Sequence, residues 1–92
     1  MTTNQREQVR LSILRYCETA ENYGLSAALL LQFLRNEGFR SLTGAQIRAE
    51  LQYLADKSFI MAVAKTISPE NEAWRITAGG RDFVAQQELD QP

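Results

Sequence analysis

Hydrogen-bonding side chains gather between residues 40 and 52. Arg40, Gln46, Arg48 and Gln52 lie there, with Thr43 ahead of them and the small residues Ala45 and Ala49 between. Guanidinium and carboxamide groups position and recognise, but alone they make and break no covalent bonds. The groups that would do so are scarce. The chain has no histidine, which removes the commonest acid–base group and metal ligand, and with it any Ser-His-Asp set. No cysteine- or histidine-rich spacing for zinc is present. Gly79-Gly80-Arg81 lacks the spacing and the Lys-Ser/Thr of a phosphate loop. Glu70 and Glu72 are two carboxylates in a predicted turn, where solvated acids are the plainer reading. The expectation is no enzyme, no cofactor and no metal. Cys17, the one cysteine, reads as a small buried hydrophobe, the other reading being a reactive thiol. One cysteine makes no internal disulfide, so a reducing cytoplasm is the expected compartment.

These residues need elements to hold them. Val9, Ile13, Tyr16, Cys17 and Ala20 recur at helical spacing and predict a first helix over 6–21, with Gly24 suited to its C-terminal end. Ser26 is a good N-cap for a second helix over 27–37, ended by Gly38. Its apolar set, Leu29, Leu30, Leu31, Phe33 and Leu34, is wider than one stripe. Such a helix is buried on two sides, or it keeps a leucine patch for self-association. Thr43 caps a third helix over 44–57, whose stripe is Ile47, Leu51, Leu54 and Ala55. Phe59 to Ile67 reads as a strand, 68–72 as a turn, and Ala73–Ile76 as the returning strand, with Trp74 and Ile76 on one face. Trp74 packs on the helices or stands as a stacking platform. Thr77 caps a last helix over 78–88 that carries Phe83 and Val84.

The chain is 92 residues long, 45% apolar and 23% charged, which suits one small domain that buries roughly 60–65% of its unfolded surface. Residues 1–5 and 89–92 are expected to be flexible ends around one domain spanning 6–88. No stretch approaches the roughly 18 apolar residues of a membrane span, and Met1–Gln5 is polar, without the apolar core expected of a signal peptide. The net charge of −1 conceals a division: residues 24–58 carry +1 and residues 59–92 carry −2.

Two segments carry a resemblance. Ile47-Arg48-Ala49-Glu50-Leu51-Gln52-Tyr53-Leu54-Ala55-Asp56-Lys57-Ser58-Phe59-Ile60 looks like the recognition-helix exit of the winged helix-turn-helix superfamily. Trp74 to Phe83 is similar to its second wing strand running into "Leu-Thr-x-x-Gly" and a final helix. The implied fold is mainly α with a small β-hairpin: three helices, a two-stranded wing and a C-terminal helix. Ile13-Leu14, Tyr23-Gly24-Leu25-Ser26, Leu30, Leu34, Gly38 and the Ile47–Ile60 block also resemble the small winged-helix proteins of Mu-like, transposable phages and prophages.

The resemblance implies a third helix in the DNA major groove and a hairpin against the backbone. The outward arc then holds Ala45, Ala49, Gln52 and Tyr53, flanked by Gln46 and Arg48. Gln46 and Gln52 suit adenine and Arg48 suits guanine, while Arg40, Lys65 and Arg75 suit phosphate. Asp56 near the centre of the arc and Glu50 on its flank oppose this, and Glu70 and Glu72 give the hairpin tip acids where DNA-binding members carry bases. A lone copy should bind duplex DNA weakly, and a homodimer seamed through Leu29, Leu31 or Phe83 would double the contacts. The rival reading is a winged helix that docks a phage or host protein and leaves DNA alone.

Overall fold

The computed structural model describes residues 1–63 and 72–89. Its elements are α1 (Thr3–Ala20), a single 3₁₀ turn (Glu21–Tyr23), β1 (Leu25–Ser26), α2 (Ala27–Glu37), α3 (Gly44–Asp56), β2 (Ile60–Ala62), β3 (Ala73–Ile76) and α4 (Ala78–Leu89). The order of helices and hairpin strands expected from the sequence is the order seen, with one strand added. Residues 64–67 of the expected long strand and 68–71 of the turn lie outside the described residues, as do Lys65 and Glu70.

Polar side chains start each helix. The residues expected to fray at the N terminus instead carry a cap: Thr2 Oγ1 accepts from the Gln5 amide at 3.2 Å, and Gln5 Oε1 accepts from the Thr2 amide at 3.0 Å. That reciprocal pair satisfies two amides the helix cannot use, and α1 begins three residues before the expected start. Ser26 Oγ accepts from Leu29 N at the head of α2. Thr43 and Gln46 repeat the reciprocal box at α3. Thr77 Oγ1 accepts from Gly80 N and donates to Ser58 O, so it caps α4 and ties it to the end of α3.

The sheet has the order β1–β3–β2, all antiparallel. Leu25 faces Trp74, Ile60 faces Ile76 and Met61 faces Arg75. β1, of two residues, is the added strand. Gly24 precedes it at φ +75°, and a Cβ there would stand 2.7 Å from Val63 Cγ2, so both conformation and space exclude a side chain.

The core joins Val9, Ile13, Leu14 and Cys17 of α1 to Leu30 and Leu34 of α2, Ile47, Leu51 and Leu54 of α3, and Ile60, Ile76 and Val84. Of the predicted stripe of α3, Ile47, Leu51 and Leu54 are buried, each stabilising the fold by about 1.5–3 kcal/mol, and Ala55 is half-buried. Leu42 is buried in the α2–α3 connection, where its carbonyl accepts from Arg35 Nε at 2.9 Å. Glu37 accepts from Ser12 and Tyr16, which holds the end of α2 to α1; burial first, then the Glu37 carboxylate, raises the Tyr16 phenol.

Cys17 is fully buried with its thiol toward the Trp74 carbonyl at 3.8 Å, and burial pushes it up to about 12. In the folded chain it stays a thiol well above the pH at which an unfolded one ionises. That preference weakens the fold as pH rises through and beyond the ordinary thiol value of about 8.5. Iodoacetamide at pH 8 should leave the native protein unlabelled and label one site per chain in urea. Rapid native labelling would show the thiol to be accessible.

Candidate nucleic-acid interface

α3 is capped at Thr43 and held from beneath by Ile47, Leu51 and Leu54, so its opposite face is free. Ala45, Arg48, Ala49 and Gln52 are exposed there, as is Arg40 in the connection before the helix. Arg48 Nε donates to the Gly44 carbonyl at 3.2 Å, laying the guanidinium back over its own first turn. Gln52 Nε2 donates to Asp56 Oδ1 at 2.8 Å, which occupies one lobe of that carboxylate and leaves the Gln52 oxygen unused. Arg75 is half-buried on β3.

Two expected features are corrected. Gln46 is half-buried and its Oε1 already accepts from the Thr43 amide. Bidentate pairing with adenine needs that oxygen together with the amide nitrogen, so Gln46 is a capping residue here. Glu50 is not on the flank of the outward face. It is 2% exposed, with Oε1 accepting from Arg6 Nε at 3.2 Å and Oε2 accepting from Arg10 Nε. The Arg10 guanidinium also lies over the Tyr53 ring, 3.7 Å from its centroid. A carboxylate expected to repel phosphate is thus turned inward and neutralised by α1. Arg40 and Arg48 remain outside, and the acids beside them among the described residues are Asp56 on α3 and Glu72 ahead of β3.

The residues missed from sequence are Arg6 and Arg10 as partners of α3. The signal was present. Positions 47, 50, 51 and 54 are the i, i+3, i+4, i+7 set of one helix face, and Glu50 fills one of the four.

A cleft of about 650 Å³ opens beside the outward face, between α2, α3 and β3. Arg48 and Gln52 stand on its α3 side, Leu31 and Ala27 on its α2 side, and Trp74 and Glu72 on its β3 side. Leu31 and Trp74 are half-buried. Leu29 is 38% exposed. Phe83 stacks on Phe59 with centroids 4.9 Å apart and lines a different depression, between α1, α3 and α4. Leu31 and Phe83 therefore do not share one apolar face.

Among the described residues no helix is long and apolar enough to cross a membrane. No family model matches the chain, and no curated protein matches it in sequence. Among solved structures, the crystal structure of a Streptococcus transcriptional regulator has a similar fold. It superimposes with a TM-score of 0.76 over 98% of this chain and 89% of that one, at 21% identity. The likeness is one of fold.

Proposed function

We propose that the protein is a winged helix-turn-helix that contacts duplex DNA through the outward face of α3 and serves in transcription regulation, in a phage or bacterial setting. The observation that carries this reading is the composition of that face once Glu50 is removed from it: Arg40, Arg48 and Gln52 around the small Ala45 and Ala49. The alanines allow close approach, Gln52 and Arg48 offer base-reading groups, and Arg40 and Arg75 suit phosphate. The regulator role of the structural neighbour supports the reading. The phage setting rests on the resemblance of Tyr23-Gly24-Leu25-Ser26 and the Ile47–Ile60 block. Few cations face outward, so two copies binding together would strengthen the contact.

Arg40, Arg48 and Gln52 changed together to Ala should weaken binding to the protein's own upstream DNA by more than about tenfold at low salt, with the melting temperature unchanged. A gel shift beside a thermal melt reads both. Undiminished binding by the triple variant would remove the face from the account.

The cleft favours a second reading, because Leu31 and Trp74 beside Glu72 suit a protein surface better than a phosphate backbone. Under that reading duplex DNA is not bound, and Leu31→Ser abolishes capture of a co-encoded protein while the triple variant retains it.

A further inference from the structure

We propose that the groove between α1, α3 and α4 is a binding site for a small planar aromatic carboxylate. Its volume is about 580 Å³, within the roughly 300–1,000 Å³ of small-molecule sites. It shares no lining residue with the cleft beside Arg48, so the inference does not rest on DNA binding.

Its floor is apolar. Leu54 is buried, Leu11 is half-buried, and the stacked pair Phe59 and Phe83 completes the base. Aromatic walls favour a planar ring, which can lie against their edges and faces. The rim carries Lys57 and Arg10, with Glu7 on the wall. Lys57 is exposed, has no ion pair among the described residues, and its ammonium lies 5.8 Å from the Tyr53 ring. Arg10 spends its Nε–H on Glu50 and its face on Tyr53, and its terminal nitrogens make no other hydrogen bond among the described residues. One ammonium unpaired among the described residues, beside a guanidinium already paired with Glu50, stands above an apolar base and suits a monoanion with a ring attached. A carboxylate can accept from the Lys57 ammonium. Glu7 on the wall repels a dianion such as phosphate about twice as strongly as a monoanion, and phosphate would also leave the floor uncovered.

The test is a titration of the ¹⁵N-labelled protein with benzoate, followed by amide shifts, with cyclohexanecarboxylate and benzyl alcohol as the non-aromatic and uncharged comparisons. Benzoate should move the signals of Leu11, Lys57, Phe59 and Phe83 saturably, with a Kd of about 1–5 mM, and leave Arg48 and Gln52 unmoved. Both comparison compounds should bind more weakly. Lys57→Ala and Lys57→Gln should each weaken benzoate about fivefold, the upper end for an exposed ion pair, with the rest of the spectrum unchanged. No saturable shift by about 20 mM, a concentration that would register even Kd values several times weaker, would overturn the proposal. So would shifts centred elsewhere, comparison compounds that bind as well as benzoate, or lysine variants that bind as the parent does.

Discussion

Arg6→Ala combined with Arg10→Ala should lower the free energy of unfolding by about 3–5 kcal/mol, the loss expected when a buried charge is left without partners. Glu50 is 2% exposed, so its carboxylate has little water to turn to once both guanidiniums are gone. The arginines are placed differently. Arg6 is 53% exposed and Arg10 23%, so each can reach solvent if the carboxylate is removed instead. Glu50→Leu alone should therefore be mild, within about 1.5 kcal/mol of the parent. Adding Glu50→Leu to the double arginine variant should recover most of what that variant lost, although the Arg10–Tyr53 contact stays missing. Urea unfolding of the four proteins measures the cycle. A double arginine variant within about 1 kcal/mol of the parent, the range of an exposed pair, would mean that Glu50 is solvated and that α1 does not hold α3 in this way.

Gly80→Ala should destabilise the fold by at least about 3 kcal/mol, beyond the ordinary range for an added methylene. A Cβ on Gly80 would stand 2.2 Å from the Phe59 carbonyl oxygen and 2.7 Å from Ile76 Cγ1. The first of these is backbone, which cannot swing aside, and the same carbonyl accepts from the Thr77 amide at 3.0 Å. Relief requires α4 to move off the sheet, which breaks the Thr77 cap and opens the core at Val84. Gly79 next door is the control. Its nearest neighbour would be the Ser58 carbonyl at 3.6 Å, ordinary contact, so Gly79→Ala should stabilise by about 0.4–1 kcal/mol through lost freedom of the unfolded chain. Thermal melts of both variants decide it, and equal effects would contradict the packing of α4.

The caps were legible because a single side-chain type marks them: Ser26, Thr43 and Thr77 all do what their positions suggest. The stripe Ile47–Leu51–Leu54 was legible because three apolar residues at helical spacing leave one solution. Thr2-x-x-Gln5 was read as a polar end, although it has the same capping-box form as Thr43-x-x-Gln46. The partner residue of each box was missed with it, and that is why Gln46 was assigned to a base. β1 escaped because two residues carry no period and pair only through β3. Glu50 was misplaced because its burial depends on Arg6 and Arg10, more than 35 residues away in the chain. Spacing within α3 marks a position as inward, but only the tertiary fold supplies the charges that make a carboxylate tolerable there. The candidate face was legible as a set of residues. Which of them are free to act was not, because their hydrogen bonds to Gly44, Thr43 and Asp56 are made only in the folded chain.

The most direct test of the central claim is a fluorescence-anisotropy titration of duplex DNA with the protein at several salt concentrations. Contacts from Arg40 and Arg75 correspond to about two phosphates per copy, so log K should fall against log salt with a slope of about −1.8 per copy. Affinity should drop about 12-fold between 50 and 200 mM salt. The Arg40, Arg48 and Gln52 triple variant should flatten that slope by about 1, the share of Arg40. Absence of binding at about 50 mM salt, where phosphate contacts are strongest, or a slope unchanged by the triple variant, would contradict the assignment of α3 as a DNA-contacting helix.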